Sequence, residues 1–328
     1  MNDFLKLIFL IRNENDFNDC SLKLFRYQAE HVPVYKEFIR LLKTDITTIR
    51  HYSEIPFLPV SFFKNNIISD QGKTPEFFFS SSGTTGQPTS KHYLANVRIY
   101  DEVIIKCFRH FFGDPKDYCF LALLPSYLER SGSSLVYMMQ QLIAAGNHPL
   151  SGFYLHNHEE LAEKITSLKN KKEKIFLIGV TYALLDFFEK YPIPLSASHA
   201  IVMETGGMKG TRKEMVRQEV HELLRKGSGL ESIHSEYGMT ELLSQAYSTG
   251  KGIFKTPPWM KIVTGEVHDP FAKASLNDTG IIKIIDLANI HSCAFIETGD
   301  LGRILPQGFE VLGRMDSSEL RGCNLMIG

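Results

Sequence analysis

The sequence predicts an α/β protein in which a mostly parallel sheet, covered by helices, is followed by a smaller β-rich subdomain. Two patterns carry this prediction. Between residues 100 and 229, short apolar runs alternate with longer amphipathic runs, which is the order of strands and helices in a parallel sheet. After Trp259 only short apolar runs remain, separated by Gly, Pro and Asn-Asp turn signals.

The first 55 residues are predicted to form a helical region, because apolar residues recur there at helical spacing. Within it, Phe4–Ile11 is expected to be an amphipathic helix docked on the core. A secretory signal peptide is the alternative; Lys6 interrupts the apolar run and no small-residue cleavage site follows it. Residues Ile55–Phe63 contain two prolines and are expected to be extended or looped.

Residues 56–258 are predicted to form the α/β core. The candidate strands are short apolar runs at Tyr118–Leu124, Lys174–Gly179 and His199–Met203. The candidate helices are Tyr100–Phe112, Ser134–Ala145, Glu159–Leu168, Tyr182–Lys190 and Lys213–Lys226. Asn157 with Glu160, and Thr211 with Glu214, have the spacing by which two side chains satisfy the free N–H groups of a first helical turn.

Residues 259–328 are predicted to form the β-rich subdomain, as a small antiparallel sheet or barrel. Its candidate strands are Lys261–Val263, Gly280–Asp286, Ala294–Glu297, Leu301–Leu305 and Phe309–Leu312. A break is expected between the third and fourth of these strands, because the glycine-containing segment Thr298–Asp300 separates them.

Composition excludes several classes of protein. With 43% hydrophobic and 22% charged residues, the chain is neither disordered nor a collagen-like or coiled-coil rod. A net charge of -1 lacks the electrostatic footprint of a nucleic-acid-binding protein, and no apolar run approaches the roughly 20 residues of a membrane span. Five cysteines without a C-x-x-C pair favour free thiols in a reducing cytoplasm over disulfides or zinc. We expect a cytoplasmic protein with a small-molecule or protein partner, and no nucleic acid.

The strongest chemical signal is the segment FFFSSSGTTGQPT at Phe77–Thr89. An aromatic run that looks buried enters a loop with hydroxyl side chains and two glycines. Such a loop can turn several N–H groups and hydroxyls toward one anion, although its spacing is not that of a P-loop. We interpret it as an anion-binding loop rather than a polar surface turn. Its candidate residues are Ser81, Ser82, Gly83, Thr84, Thr85, Gly86 and the following Lys91.

Two further segments place a carboxylate beside a glycine. SEYGMTE at Ser235–Glu241 brings together an aromatic ring, a glycine, a hydroxyl and a carboxylate, and a carboxylate near bound phosphates usually holds Mg²⁺. The alternative is a turn followed by a helix capped at Thr240. In ETGDLGR at Glu297–Arg303, Asp300 after a tight turn could accept from both hydroxyls of a ribose, and Arg314 could face phosphate or ribose oxygens. A simple hairpin turn is the alternative.

In their order and approximate spacing, these three segments resemble the adenylate-forming superfamily of acyl-CoA synthetases, peptide-synthetase adenylation domains and luciferases. More narrowly, the chain resembles the acyl-protein synthetase family, which includes the fatty acid luciferin-component ligases of bacterial bioluminescence. Leu124–Arg130, Glu204–Gly210 and Glu319–Leu325 carry the narrower resemblance, which extends from about Pro56 to the end. It implies the N-terminal-domain fold of that superfamily and ATP-dependent conversion of a carboxylic acid into an acyl-adenylate.

The resemblance also implies roles for individual residues, with ATP and Mg²⁺ as cofactors. Ser81–Gly86 would hold the β- and γ-phosphates, Thr240 would touch the α-phosphate, and Glu241 would bind Mg²⁺. The adenine would lie between Gly206 and Gly207 on one side and the Tyr237 ring on the other, with Gly238 allowing close approach. Asp300 with Arg314 would bind the ribose. Further candidates, for lining the acid pocket, are Tyr127, Arg130, Gly179, Val180 and Thr181; plain core at an apolar strand end is the alternative. His234 is a candidate general base, or a packed side chain.

The sequence departs from the superfamily at its C-terminal end. Most members have a further C-terminal domain whose lysine reaches the adenylate, whereas this chain ends shortly after Arg314. In the luciferin-component ligases a cysteine near the C-terminus carries the acyl group, and Cys323 matches it by position; an uninvolved free cysteine is the alternative. A thiolate is a suitable nucleophile for an activated acyl group, and Arg321 could lower the pKa of that thiol.

We therefore expect a ligase that activates a carboxylic acid, with fatty acids as the favoured class, and passes the acyl group to a thiol of its own or of a partner. A small-acid or aryl-acid CoA ligase is one alternative. The other is a catalytically silent nucleotide-binding subunit that requires a reductase or an acyl-carrier partner.

Overall fold

The structure is a computed structural model that describes residues 3–81, 89–125, 132–206, 215–267, 272 and 274–315. Its helices are α1 (Phe4–Ile8), α2 (Glu14–His31), α3 (Pro33–Leu41), α4 (Phe62–Asn65), α5 (Val97–Phe112), α6 (Ser134–Gly146), α7 (His158–Lys171), α8 (Thr181–Lys190) and α9 (Arg217–Ser228). Its strands are β1 (Leu58–Pro59), β2 (Phe77–Ser80), β3 (Lys91–Leu94), β4 (Tyr118–Leu123), β5 (Gly152–Tyr154), β6 (Lys174–Gly179), β7 (Ala200–Glu204), β8 (His234–Tyr237), β9 (Ala246–Ser248), β10 (Ile253–Lys255), β11 (Met260–Gly265), β12 (Gly280–Asp286), β13 (Phe295–Leu305) and β14 (Gly308–Arg314).

The chain divides into two compact units. The first comprises Met1–Gly72 with Pro258–Gly328, and the second comprises Lys73–Pro257. In the described part of the chain, no helix has the combination of length and apolar character that crossing a membrane requires.

The second unit contains a sheet in which β5, β4, β6, β7 and β8 are parallel neighbours in that order. Strands β9 and β10 extend this sheet in antiparallel fashion. All six residues of β4 are buried, as expected for a strand covered on both faces by helices. The predicted mostly parallel, helix-covered sheet is therefore confirmed, and the three strands predicted in this region agree with β4, β6 and β7 to within one residue at each end.

Helix starts in the second unit follow from capping side chains. Asn96 and Ser133 accept hydrogen bonds from main-chain N–H groups in the first turns of α5 and α6. Asn157 precedes α7 as predicted, but its side chain does not cap the helix. Instead its amide accepts from the Leu155 N–H and donates to Glu160, so the expected reciprocal capping is wrong in detail while the helix position is right. Thr211 and Glu214 lie outside the described residues.

The first unit packs α1, α2 and α3 with an antiparallel sheet of order β11-β12-β13-β14, to which β1 adds in parallel beside β13. Gln28 of α2 is fully buried, and its side chain pairs with main-chain groups near the end of β12. Its Nε2 donates to the carbonyl of Asn289 over 2.7 Å, and its Oε1 accepts from the Ala294 N–H over 3.0 Å. One amide side chain therefore ties the long N-terminal helix to a segment far along the chain.

The predicted break between Glu297 and Leu301 is wrong. Residues Phe295–Leu305 form one continuous strand, hydrogen-bonded to β12 on one side and to β14 on the other. A register shift between Leu301 and Gly302 absorbs the irregularity within the β13–β14 ladder. The β12–β13 ladder also shifts register, between Ile281 and Lys283, so the strand passes Thr298–Gly299 as an irregularity rather than a turn. Gly302 is paired on both sides, with Gly280 of β12 and Val311 of β14.

Candidate active site

The candidate site is built at one edge of the sheet in the second unit, called here the carboxyl edge: the residues that directly follow Leu123, Gly179, Glu204 and Tyr237 at the ends of β4, β6, β7 and β8. Because these strands are parallel, their ends meet at the same side of the sheet. In open α/β sheets, ligands bind at this side. The described residues that follow three of these strands, Val180–Thr181, Thr205–Gly206 and Gly238–Glu241, therefore lie on the same side of the sheet.

The hairpin β2–β3 carries the predicted anion-binding loop. Ser81 and Ser90 close its base, since the Ser81 N–H donates to the Ser90 carbonyl and the Ser90 N–H donates to Ser81 Oγ, both over 3.0 Å. The Lys91 ammonium lies 5.4 Å from the centre of the Phe78 ring. Ser82, Gly83, Thr84, Thr85 and Gly86 lie outside the described residues.

The aromatic run before this loop is only partly buried. Phe79 has no solvent exposure, whereas Phe77 and Phe78 are 39% and 43% exposed, so the expected buried strand is wrong for two of its three rings. Side chains alternate between the two faces of a strand, so Phe78 points away from the face on which Phe79 packs, whereas Phe77 shares the face of Phe79 and lies at the start of the strand. The Ser80 N–H donates to the Gly132 carbonyl over 2.8 Å, which brings the hairpin beside the segment after β4. Tyr127 and Arg130 lie outside the described residues.

The turns after β6 and β7 are joined to each other. The Thr205 N–H donates to the Gly179 carbonyl over 3.1 Å, and the Thr181 N–H donates to the Gly206 carbonyl over 3.0 Å. Gly206 has a φ of +72°, a conformation that favours glycine. A Cβ on Gly179 would lie 2.9 Å from the Leu123 carbonyl oxygen, so close strand packing requires glycine there. Val180 is buried, and Gly207 lies outside the described residues.

The buried carboxylate of Glu204 binds both of these turns. Oε2 of Glu204 accepts from the Gly206 N–H over 2.7 Å and from the Thr181 hydroxyl over 3.0 Å. Its Oε1 lies 3.5 Å from both Arg217 Nε and His221 Nε2. Burial alone would raise the pKa of Glu204, but the neighbouring His221 ring, the Arg217 charge and the hydrogen bonds to its other oxygen lower it to about 2. Glu204 is therefore ionised at neutral pH.

Glu236, on the neighbouring strand, has the opposite electrostatic character. Burial and the negative charge of Glu204 raise the pKa of Glu236 to about 8, so this carboxyl group is mostly protonated at neutral pH. Its Oε1 lies 2.3 Å from the position that a Cβ on Gly238 would occupy. A side chain at 238 would therefore require the Glu236 carboxyl group to move, a contact that the sequence does not reveal.

The segment Tyr237–Glu241 leaves β8 and makes a turn, closed by a hydrogen bond from the Leu242 N–H to the Met239 carbonyl. No helix begins at Thr240; the chain continues to β9, so the capped-helix alternative is wrong. Tyr237 is buried, with its ring centre 5.9 Å from that of Phe254. Glu241 is also buried, while Thr240 and Gly238 are more exposed. This turn presents a hydroxyl and a carboxylate next to each other at the carboxyl edge.

His234, the candidate general base, does not suit that role. Burial and the nearby His221 lower the pKa of His234 to about 4, and its Nδ1 has no hydrogen-bond partner among the described residues. Its ring centre lies 6.1 Å from that of Phe112. A histidine in these surroundings is a packed neutral side chain, as the alternative interpretation held.

Asp300 and Arg314 belong to the first unit, where they are Cα partners on β13 and β14. Arg314 Nε lies 3.3 Å from Asp300 Oδ1, and the arginine side chain is 75% exposed whereas the aspartate is mostly buried. The Thr298 hydroxyl accepts from the Asp300 N–H over 3.0 Å and donates to the Ile282 carbonyl over 2.8 Å. Thr298 therefore fixes the main chain that carries Asp300, which explains the threonine in this segment.

The described residues could bind Mg²⁺ only together with a nucleotide whose phosphates supply further ligands. In the ranges that the structure describes, no cluster of three His, Cys, Asp or Glu side chains could hold a metal ion by itself. The buried carboxylate of Glu241 sits in a turn at the carboxyl edge. One carboxylate combined with substrate phosphates and water is the usual protein environment of Mg²⁺.

The described cysteines are poor acyl acceptors. Cys20, Cys107, Cys119 and Cys293 are all buried. Burial raises the pKa of Cys119 to about 11 and that of Cys293 to about 12, so neither forms an appreciable amount of thiolate at neutral pH. Cys323 lies outside the described residues.

No protein-family model matches the chain, and no curated protein sequence matches it. Solved structures do. An open-conformation structure of 2-hydroxyisobutyryl-CoA ligase with 2-HIB-AMP and CoA matches with a TM-score of 0.66 and 12% identity, over 96% of this chain and 75% of that one. A long-chain-fatty-acid-CoA ligase from Archaeoglobus fulgidus matches with a TM-score of 0.53 and 17% identity, over 80% of this chain and 55% of that one. ATP-bound MatB from Rhodopseudomonas palustris matches with a TM-score of 0.50 and 18% identity, over 72% of this chain and 47% of that one.

The chain thus spans 75% of the first of these proteins and 55% and 47% of the other two. At identities this low, the likeness concerns the fold. The mixed α/β architecture, with its largely parallel sheet and antiparallel C-terminal strands, is the adenylate-forming fold that these ligase structures share.

Proposed function

We propose that this protein catalyses the ATP-dependent adenylation of a carboxylic acid. A carboxylate oxygen attacks the α-phosphorus of ATP, the bond from that phosphorus to the bridging oxygen of pyrophosphate breaks, and acyl-adenylate and pyrophosphate are the products. The observation that supports this most is the fold likeness over 96% of the chain to a ligase solved with 2-HIB-AMP.

The reaction requires positioning and charge neutralisation rather than a protein nucleophile. The loop Ser81–Gly86, with Lys91 after it, is proposed to hold the β- and γ-phosphates, and Thr240 the α-phosphate. Mg²⁺ held by Glu241 would neutralise phosphate charge. Gly206, Gly207, Tyr237 and Gly238 are proposed to form the adenine subsite, Asp300 and Arg314 to bind the ribose, and Tyr127, Arg130, Gly179 and Val180 to line the acid pocket.

The acyl group is proposed to pass to a thiol, with loss of AMP. A thiolate sulfur attacks the acyl carbon, the bond to the AMP oxygen breaks, and a thioester forms. The buried cysteines with raised pKa values leave Cys323, a partner protein or CoA as acceptors. We favour Cys323 because of the family resemblance; CoA is the alternative, since two of the similar structures are CoA ligases.

A fatty acid is the proposed substrate class, on the basis of the same resemblance. The named CoA ligases with this fold include one for a long-chain fatty acid and one for 2-hydroxyisobutyrate, so the fold likeness by itself does not choose a chain length. Chain length must therefore be measured.

The test is ATP–pyrophosphate exchange by purified protein with Mg²⁺, across acids from acetate to long-chain fatty acids and several aryl acids. We expect exchange that depends on one class of acid and is abolished in Glu241→Ala. Asp117→Asn is the control, because Asp117 precedes β4 at the opposite edge of the sheet and pairs with Lys174 on the surface. Absence of exchange with every acid, despite measurable ATP binding, would overturn the proposal in favour of a silent nucleotide-binding subunit.

A further inference from the structure

The carboxylate of Glu204 is placed where the fold by itself would favour an apolar side chain. It ends β7 directly after the buried Val202 and Met203, and it is only 4% exposed. Burying a charge is costly unless the surroundings compensate for it, and apolar replacements of buried ion pairs are often neutral or stabilising. The contacts of this carboxylate therefore indicate what it contributes beyond stability.

Those contacts join two turns of the carboxyl edge. One oxygen atom, Oε2, binds both the Gly206 N–H after β7 and the Thr181 hydroxyl after β6. The charge of Arg217 and the His221 ring, both from α9, face the other oxygen. Glu204 is thus positioned by Arg217 and His221 of α9, and it binds the two turns to each other.

The peptide groups on both sides of Gly206 are fixed by this arrangement. Its N–H donates to Glu204, and its carbonyl accepts from the Thr181 N–H over 3.0 Å. A glycine with a φ of +72° would otherwise have wide conformational freedom. The carboxylate therefore determines the direction in which the Gly206 peptide faces, relative to the Gly179–Thr181 segment.

We propose that Glu204 is a positioning residue that sets the Gly206 peptide of the adenine subsite in register with the acid-lining turn at Gly179–Thr181. This inference rests on the proposed adenylation function, because the adenine and acid roles of these turns belong to it. Glu204 itself does not contact substrate. Its loss should misplace ATP and the acid relative to each other, and displacements of about 1 Å can slow a reaction by roughly a hundredfold.

Three variants test this positioning role. Glu204→Gln keeps the shape and one carbonyl acceptor but removes the charge. Thr181→Val removes only the hydroxyl that binds Glu204, at nearly constant volume, and Thr181→Ser restores a hydroxyl. Thr166→Val is the matched control, because the Thr166 hydroxyl also donates a hydrogen bond, to the Ala162 carbonyl within α7, away from the carboxyl edge.

The measurements are the Kd of ATP by calorimetry, the KM values for ATP and acid in the exchange assay, and deuterium uptake of a peptide covering Thr205–Gly206. We expect Glu204→Gln and Thr181→Val to raise the ATP Kd and KM by about tenfold and to increase deuterium uptake at Gly206. Thr181→Ser should recover most of the ATP affinity. Thr166→Val should leave all of these values unchanged, even where its unfolding temperature falls.

The outcomes separate the two proposals. If the wild-type protein exchanges pyrophosphate while Glu204→Gln and Thr181→Val bind ATP normally and lose only thermal stability, Glu204 is merely structural and the positioning role is overturned. If the wild-type protein neither binds ATP nor exchanges pyrophosphate, the proposed function fails and this role fails with it. Weakened ATP binding in folded Thr181→Val protein, with recovery in Thr181→Ser, supports the inference even where Glu204→Gln does not fold.

Discussion

His92 and Thr240, which are 148 residues apart in the chain, are joined by a hydrogen bond of 3.0 Å between the His92 Nδ1 and the Thr240 main-chain carbonyl. A carbonyl can only accept, so Nδ1 carries the proton and the neutral ring has the Nδ1–H tautomer. His92 is fully buried on β3, opposite Phe79. The bond connects the hairpin that enters the Ser81–Gly86 loop to the turn that carries Glu241.

The first prediction concerns this bond. In His92→Ala, the Thr240 carbonyl loses its donor and a cavity remains, which should lower the free energy of unfolding by about 2 to 4 kcal/mol. The Thr240–Glu241 turn should also shift, so that the Mg²⁺ concentration for half-maximal exchange rises about tenfold. His92→Asn places an amide N–H near the position of Nδ1 and should restore the Mg²⁺ dependence. Equal Mg²⁺ dependence in both variants and the wild type would show that the bond serves stability alone.

The second prediction is a pH dependence of stability. Burial lowers the pKa of His92 to about 4, against 6.5 in the unfolded chain, and the hydrogen bond to the Thr240 carbonyl only partly opposes this shift. Between these two values the unfolded chain binds a proton that the folded protein does not. The contribution of His92 is therefore complete above pH 6.5 and is lost as the pH falls toward 4, by about 3 kcal/mol in all.

The contribution of His92 must be separated from that of Glu236, which has a raised pKa and changes in the opposite direction with pH. The contribution of Glu236 to the free energy of unfolding is lost as the pH rises from 4.5 toward 8. Comparing the wild type with a His92 variant isolates the contribution of His92, because Glu236 is present in both proteins. Urea unfolding of the wild type and His92→Asn at pH 7, 5.5 and 4 should show a destabilisation by the variant that shrinks as the pH falls. A difference between the two proteins that stays constant over this range would contradict a neutral, buried His92.

The third prediction tests the ribose assignment. Asp300→Ala removes the carboxylate proposed to bind two ribose hydroxyls, and charge-assisted hydrogen bonds contribute roughly 1.5 to 3 kcal/mol each, so ATP affinity should fall at least about tenfold. Glu310→Ala is the matched control, because Glu310 forms another cross-strand pair with an arginine, Arg303, between the same two strands. The measurement is the Kd of ATP by calorimetry. Equal Kd values for Asp300→Ala and the wild type would place the ribose elsewhere.

The fourth prediction concerns the acyl acceptor. With radioactive acid and ATP, wild-type protein should acquire a label that hydroxylamine releases, and Cys323→Ser should lose this label while its pyrophosphate exchange is unchanged. Cys20→Ser serves as the control, since Cys20 is buried and burial raises the pKa of its thiol. A label that persists in Cys323→Ser moves the acyl site elsewhere, and transfer seen only with added CoA supports the CoA-ligase alternative.

Local hydrophobic pattern predicted β4 and β6 closely, because Asp117 and Pro125 bound the apolar run of β4, and Lys174 and Gly179 bound that of β6. It failed at Thr298–Asp300, where glycine suggested a break but the strand continues through a register shift in the β12–β13 ladder. It also misjudged the burial of Phe77 and Phe78, since a run of three aromatic residues does not show which of its rings neighbouring segments cover. The pairing of a strand and the burial of its side chains depend on segments that are distant in sequence, which a local pattern does not identify.

The sequence by itself determined the alternation of strands and helices, and with it the class of fold, because hydrophobic periodicity is a local property of the chain. It also predicted candidate segments for the chemistry, through clusters of glycine, hydroxyl and carboxylate residues. Only the tertiary structure showed that Glu204 binds Gly206 and Thr181, and that His92 binds Thr240. Their partners, Thr181 and Thr240, lie far away in sequence, and a buried polar group is defined by the hydrogen bonds that distant segments supply.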